Sequence, residues 1–534
     1  MKKQKFKMEY WYYIAFFIIA IIYIYSFFKN LDNTINNSDV AFLINRATQM
    51  INCLRDGNIP WFYYNDFFGV GYGSSFFYGQ LTLYPFLPFL LISEKLFLGI
   101  YFIIALIIHF IGVYRLTKKI TTNYKFITFL YFTSTFTFTL FCFIKMYACI
   151  MGISLSILFI SFCIEFFRDK KSSIPASLIF FLILNTHLIS ALLSFIICVI
   201  IMIYYLEKNK IIDYIKFALV TIVLCSYFII NFIYHSNVID NISEINRYIY
   251  TNTSISSYLN LANFPFGLLF NSLINTNFTG LYLFNLTLFG VSLFLFLKNF
   301  KKNKLRINLL LFLSIFIIIL STTKIWLWFN LNVFLTPIQF SFRFLPYILL
   351  FILIVLFSRF NNKYYKLMLG LVMLISLCIL PSKFNYSNNL NMKANLIDTY
   401  IGNGEYLSSD FSYDFETFLD KINIIIDSND NIYNYSENKG IISFNIETNK
   451  EIQVMIPKLY YNGYVAYCNN QKLQVNWGES QFLEINIPKD MSGTIYVYYN
   501  HPIWLIFLAL FSLGFFVILI FNLIYVKLNK KNKI

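Results

Sequence analysis

Charge is scarce in this chain. Asp, Glu, Lys and Arg make up 13% of its 534 residues, where a soluble domain carries about 25%. That deficit excludes a soluble enzyme and a disordered or fibrous chain. Cysteine is present but unpatterned. Six of the eight, Cys142, Cys149, Cys163, Cys198, Cys225 and Cys378, lie in or beside apolar runs. No CxxC or Cys/His ligand spacing occurs, so neither a zinc site nor a disulfide framework is expected. Only Cys53 and Cys468 fall in long polar segments, which leaves one bridge between them open. Histidine is limited to four residues, His109, His187, His235 and His501, and none forms an HExxH or Ser/His/Asp pattern. Internal repeats and low-complexity tracts are absent.

What the chain has instead is apolar surface. Hydrophobic residues make up 58% and aromatics 21%. A spanning helix needs about 20 apolar residues, and Tyr10 to Phe28 is the first such run. Lys2, Lys3, Lys5 and Lys7 precede it, as in a signal peptide, but no small-x-small cleavage site follows, so it reads as a permanent anchor. Further spans are expected near 97–115, 125–144, 147–167, 173–187, 188–206, 212–234, 281–299, 307–323, 337–358, 364–381 and 502–526. The long run 173–206 is split at His187. The stretch 80–93, broken by Pro85 and Pro88, reads as an interfacial or re-entrant segment. The expected fold class is therefore an α-helical polytopic membrane protein of about 12 spans.

The net charge of +16 sits in short basic clusters between the apolar runs. No RNA-binding signature interleaves them, so nucleic acid is not an expected partner. With the N-terminus inside, one set of connections holds 26 Lys and Arg. The other set, leaving out 382–500, holds eight. By the positive-inside rule both termini are then cytoplasmic, and the long segments 29–79, 235–280 and 382–500 face outside. The last of these differs in character, with 14 acidic residues against eight basic ones. Its second half carries β-rich runs at Ile441–Ile446, Ile452–Ile456, Gly463–Tyr467, Leu473–Val475, Phe482–Ile487 and Thr494–Tyr499, separated by turn signals. Short strands at this spacing predict a small extracytoplasmic β-sandwich at about 440–500. The domain plan is a transmembrane domain over 1–381, an outer domain over 382–500, and a final span with a basic tail over 501–534.

Candidate chemistry gathers in the first outer loop. Leu43, Ala47, Met50, Ile51 and Leu54 recur at helical spacing after Ser38-Asp39, and Gly57 and Pro60 follow. This predicts an amphipathic helix capped by Ser38 or Asp39 and suited to the membrane surface. Asp39 thus stands where a first span meets the outer face. There it can cap a helix, act as general base or ligate a metal. Asp66 opens a run with Gly69, Gly71 and Gly73, read either as a tight aromatic-flanked loop or as a phosphate cradle. Arg343, in Gln339-Phe340-Ser341-Phe342-Arg343-Phe344, lies at the outer end of a span. Arg in apolar sequence costs about 2.5–3.5 kcal/mol on insertion scales, so it faces a partner or cavity, or snorkels to the surface. His187 lies at another outer end, where a packing role is the plain reading.

These segments together resemble a family. Asp39…Arg46…Gly57…Pro60, then Gly69-x-Gly71 and Phe77-Tyr78…Tyr84-Pro85, resemble the first outer loop of YfhO-like bacterial membrane proteins of the GT-C glycosyltransferase superfamily. Gln339-Phe340-x-x-Arg343-Phe344 resembles that group's Gln-Phe-Pro-Trp-Arg-Phe motif, and Glu405-Tyr406-Leu407 its Glu-Tyr-Leu-Pro motif. The segment 440–500, with its Pro457–Tyr464 turn, resembles its terminal β-domain. The chain departs from the pattern at Leu43, where some relatives carry His, and at Ser341 and Ser408, where Pro is expected.

The resemblance implies a transferase moving a sugar from a polyprenyl-phosphate donor to a cell-envelope polymer or glycolipid, such as a teichoic acid, at the outer face of the bacterial plasma membrane. Asp39 would be the catalytic base and Arg343 would hold the leaving phosphate. Gln339, Asp66, His187, Glu405 and Tyr406 would complete the substrate-binding set. The cofactor is unknown, with a divalent cation bridging Asp39 and the phosphate as one option. Membrane lipids are the remaining expected partners. A lipid-linked sugar flippase or transporter and a non-catalytic envelope assembly protein are the alternatives.

Overall fold

The computed structural model describes residues 2–31, 38–67, 69–142, 145–236, 343, 345–358, 362–383, 432–478 and 481–531. The principal helices are α1 (Lys2–Lys29), α2 (Ser38–Arg55), α3 (Glu94–Ile120), α4 (Tyr124–Thr133), α5 (Thr135–Cys142) and α6 (Tyr147–Phe167). They continue with α7 (Ile174–Leu184), α8 (Leu188–Tyr204), α9 (Ile211–Ser236), α10 (Leu345–Phe357), α11 (Lys363–Lys383) and α12 (Ile503–Lys531). The chain divides into two compact units. One comprises Met1–Asn37, Ile92–Thr221 and Asn246–Asn391; the other comprises Ser38–Leu91, Ile222–Ile245 and Met392–Ile534.

Five helices among the described residues are long and apolar enough to cross a membrane: Tyr10–Lys29, Glu94–Ile120, Tyr147–Phe167, Lys208–Ser236 and Ile503–Val526. The run expected as one span at 125–144 is instead α4 and α5, bent by 58°. Counted as one broken span it gives a sixth. Ser134 makes the break, for its extended backbone ends α4 while its Oγ accepts the Thr137 N–H at 3.2 Å and starts α5. The division at His187 is as expected, but α7 and α8 are shorter than a full span. About twelve spans are thus not what the described residues contain. The runs 281–299 and 307–323 lie outside them, and of 337–358 only Arg343 and the stretch from Leu345 are described.

The helical unit is built around α6, an apolar helix buried on nearly every side. Close approach is what small residues provide between membrane helices. At Gly112 of α3 an added Cβ would lie 2.9 Å from the Leu158 nitrogen of α6. Serines line the α6–α8 contact, where Ser194 Oγ donates to Ser156 Oγ at 2.7 Å. His109 is also consumed by packing, within 3.1 Å of Ser154 Oγ and 3.0 Å of Tyr131 Oη. Charges gather at helix ends, where Glu165 meets Arg115 at 3.0 Å and Lys119 at 3.1 Å.

The second unit joins α2, the segment 56–91, the C-terminal part of α9, seven strands and α12. The strands are β1 (Ile432–Asn438), β2 (Ile441–Thr448), β3 (Ile452–Leu459), β4 (Tyr464–Cys468), β5 (Gln471–Trp477), β6 (Phe482–Ile487) and β7 (Met491–Tyr499). They form one antiparallel sheet in the order β1-β2-β7-β4-β5-β6-β3. The expected β-sandwich of two facing sheets is therefore corrected to a single sheet curled into a half-barrel. The cause is β5, which pairs with β4 through Gln471–Leu473 and with β6 through Gln474–Trp477. Alternation puts Ile442, Phe444 and Ile446 of β2 into the core with Ile485 and Ile487 of β6 and Ile495 and Val497 of β7. Asn469 (φ 47°) and Asn470 (φ 65°) make the tight turn between β4 and β5, as left-handed residues do in two-residue hairpins. Strand β1 was not expected from the sequence.

On α12, large apolar residues such as Phe507 and Phe521 are exposed. A continuous apolar face of this extent is what a helix in contact with lipid presents. The chain is a membrane protein.

Candidate functional site

The first candidate residue, Asp39, lies in the first turn of α2 and is exposed. It is not the cap, because the helix already begins at Ser38. A carboxylate in the first turn complements the positive end of the helix dipole, worth about 0.3–1 kcal/mol. The far end of α2 closes as Gly57 and Pro60 suggest. Gly57 takes φ +83°, the Gly57 N–H donates to Leu54 O at 3.2 Å and the Asn58 N–H to Cys53 O at 2.8 Å. These two bonds are a Schellman closure, for which glycine is preferred.

The apolar positions Leu43, Ala47, Met50 and Ile51 are buried as their spacing predicts, whereas Leu54 is 48% exposed. The helix does not lie as a surface element with a polar outer face. Asn45, Arg46 and Gln49, which an interfacial helix would keep wet, are buried too. They are consumed by the segment that follows α2. Asn45 Nδ2 donates to Asp66 Oδ1 at 2.8 Å, and Gln49 Nε2 to Asn45 Oδ1 at 3.3 Å. Arg46 Nη2 donates to the carbonyls of Tyr78 at 3.2 Å and Gly79 at 2.9 Å.

Asp66 is fully buried, and its Oδ1 also accepts the Phe67 N–H at 2.8 Å. The glycine run beside it forms a hydrogen-bonded turn. Three of its amides are already used: Val70 N–H donates to Phe67 O, Gly71 N–H to Asp66 O and Tyr72 N–H to Tyr63 O. Gly71 holds φ +82°, and a Cβ there would press within 2.7 Å of the Phe62 ring.

Strand β3 docks on this turn. The Leu459 N–H donates to Val70 O at 2.9 Å. Lys458, only 2% exposed, donates to Tyr64 O at 3.2 Å and to Gly69 O, and its ammonium pairs with Glu437 of β1. Burial lowers the Lys458 pKa from its ordinary range, and the Glu437 carboxylate partly restores it. Asn58 Nδ2 reaches Lys439 O at 3.1 Å, and Gly440 closes against the Tyr64 ring.

A second junction is aromatic. Trp61 stacks on His501 with centroids 4.6 Å apart, and Phe76 stacks on His235 at 3.7 Å. Tyr499 Oη lies 3.1 Å from His501 Nδ1 and 3.5 Å from His235 Nε2. Burial pushes His501 down to about 4. Loop, β7 and the ends of α9 and α12 are thereby tied together. Neither this junction nor Lys458 was singled out by sequence reasoning. Both depend on partners hundreds of residues away, and only the out-of-place Lys in an apolar strand gives a local signal.

Cys53 and Cys468 are both free and buried, so the bridge left open by the sequence is not formed. Cys53 Sγ instead donates to Phe62 O at 3.6 Å.

His187 and Arg343 belong to the helical unit. His187 caps α8, accepting the Ser190 N–H at 3.2 Å through Nδ1, with Ser190 Oγ at 2.9 Å. Arg343 is buried, and its charge acts on His187. These two are brought together, while Asp39 and Asp66 share the other unit. Gln339, Glu405 and Tyr406 lie outside the described residues. Among the described residues no three His, Cys, Asp or Glu side chains converge as a metal site.

No family model matches the chain, and neither the curated proteins nor the solved structures contain a match.

Proposed function

We propose that the protein is a GT-C type membrane glycosyltransferase, transferring a sugar from a polyprenyl-phosphate donor to a cell-envelope polymer or glycolipid outside the bacterial plasma membrane, with both termini cytoplasmic. The observation that carries this reading is the setting of Asp39. An exposed carboxylate opens α2, close in the chain to a lipid-spanning helix, and α2 is braced by the segment 56–79 on which the sheet docks. Inverting transfer needs such a group. The carboxylate takes the proton of the acceptor hydroxyl, the oxygen forms the bond to the anomeric carbon, and the phosphate leaves with the electrons of the broken bond.

Arg343 supplies charge for the leaving phosphate in this reading, with His187 beside it. Gln339, Glu405 and Tyr406 remain part of the proposed substrate set on the motif resemblance alone. Asp66 serves the site indirectly, by shaping the turn. Transport is the weaker reading, because the charged side chains of the described spans gather at helix ends such as Arg115 and Glu165, whereas a transporter places them near mid-membrane.

The test is sugar transfer in membranes carrying Asp39→Asn. The side chain is exposed, so the variant keeps its fold and expression. Loss of a general base lowers the rate by about 10²–10⁴. Near-normal transfer would return Asp39 to a helix-dipole role, and absence of transfer in the unaltered protein would favour a non-catalytic assembly function.

A further inference from the structure

Arg46 stands in the middle of α2 with 1% of its surface exposed. Its guanidinium lies over the Tyr78 ring at 4.5 Å and the Phe42 ring at 5.6 Å. One terminal nitrogen, Nη2, is used by the Tyr78 and Gly79 carbonyls. The buried Nε–H meets no acceptor among the described residues. No carboxylate of those residues pairs with it either. A guanidinium does not lose its proton in a protein, so a full positive charge is buried here with only carbonyl dipoles and two ring faces against it. Lys458, the other buried cation described in this unit, has Glu437; Arg46 has no such carboxylate among the described residues. Buried charges are otherwise paired.

We propose that Arg46 binds a phosphate group, and that the phosphate is carried by a lipid. With Nη2 taken, the buried Nε–H is the donor left for an anion, and a phosphate oxygen suits it because a hydrogen bond between two charged groups is among the strong ones. The lipid source follows from the surroundings. Phe42 and Tyr78, the two rings beside the guanidinium, are half-buried and meet edge to face, and aromatic side chains favour the headgroup level. The chain leaves Gly79 for two short helical turns, Tyr84–Phe86 and Leu87–Leu90, the second of which packs on α2. That stretch is apolar and too short to span, yet Tyr84 and Leu91 are exposed, as in a segment resting in the interface. For the polyprenyl phosphate as the particular lipid, the inference rests on the transferase reading; for the anion it does not.

The test uses the full chain in phosphatidylcholine nanodiscs, with polyprenyl phosphate added in one arm and inorganic phosphate in the other. Affinity is read by native mass spectrometry on the folded fraction, alongside the thermal unfolding midpoint. The unaltered protein binds polyprenyl phosphate and unfolds at a higher temperature with it. Arg46→Gln loses about 10- to 100-fold in affinity, the usual worth of hydrogen bonds to a charged group. Arg46→Lys, which keeps the charge and loses the Nε–H, falls between and covers the case in which the Gln variant does not fold. Equal protection by inorganic phosphate overturns the lipid assignment. An affinity unchanged in both variants, or no binding by the unaltered protein, overturns the site. Lipid binding that depends on Arg46 without any sugar transfer sinks the transferase reading alone, and transfer with Arg46-independent binding sinks this one alone.

Discussion

Replacing Glu437 by Leu removes the carboxylate that faces the buried Lys458 ammonium and leaves it only the Tyr64 and Gly69 carbonyls. Breaking a buried ion pair from one side costs about 3–5 kcal/mol. Glu437 keeps 26% of its side chain in solvent, so screening brings the expected cost to about 2–3 kcal/mol. The loss falls on the contact between β3 and the glycine turn, which opens as a local unit before the whole protein unfolds. The assay is amide hydrogen exchange in detergent at Leu459, whose N–H bonds across the contact to Val70, and at Gly71 and Tyr72, whose N–H groups close the turn beneath it. Their exchange accelerates about 30- to 150-fold, at tenfold per 1.4 kcal/mol. Lys458→Met keeps the apolar stem and strands two carbonyls without a charge, so it costs about 1–2 kcal/mol. The double variant is milder than Glu437→Leu alone, since no unpaired charge stays buried. Unchanged exchange in Glu437→Leu, or a double variant worse than both singles, would refute the latch.

Two further outcomes follow from single positions. Gly112→Val drives a side chain into the Leu158 backbone, which cannot rotate away, and lowers stability in detergent by about 1–3 kcal/mol; Gly514→Val, with nothing within 4 Å of its Cβ position, changes it little. Burial holds His501 at about 4 in the folded protein against 6.5 when free, so its contribution is fully present above pH 6.5 and is lost as pH falls to 4. That contribution is about 3 kcal/mol, and His501→Phe, which keeps the stack on Trp61, flattens thermal stability over this interval; an identical pH profile in the variant refutes the assignment.

Those parts of the fold that obey a local period were legible in the sequence. Leu43, Ala47, Met50 and Ile51 recur at helical spacing and Gly57 ends the run, so α2 could be placed within a residue or two. Strands β2 to β7 show the same legibility through alternation. The joining of the two half-sheets was not legible, because it depends on β5 changing partner midway between Leu473 and Gln474, and no side-chain pattern encodes a strand that pairs on both edges. The break at Ser134 was hidden for a related reason. Its Oγ terminates one helix by capping the next, while the apolar run through it reads as continuous.

The candidate site divides along the same line. Asp39 could be named from its place after a span, but its first-turn position and exposure are properties of the formed helix. Asp66 was named for a motif, and in the fold it is fully buried, its Oδ1 held by Asn45 Nδ2 and the Phe67 N–H. Arg46 was visible only as one letter of a motif. Its burial emerges when the Tyr78–Gly79 carbonyls fold back onto α2, and a guanidinium that meets no carboxylate among the described residues is a stronger ground for proposing a bound anion than a glycine-rich turn with three of its amides already spent. The same helix therefore carries an exposed carboxylate at one end and, two turns on, a buried guanidinium that meets no carboxylate among the described residues.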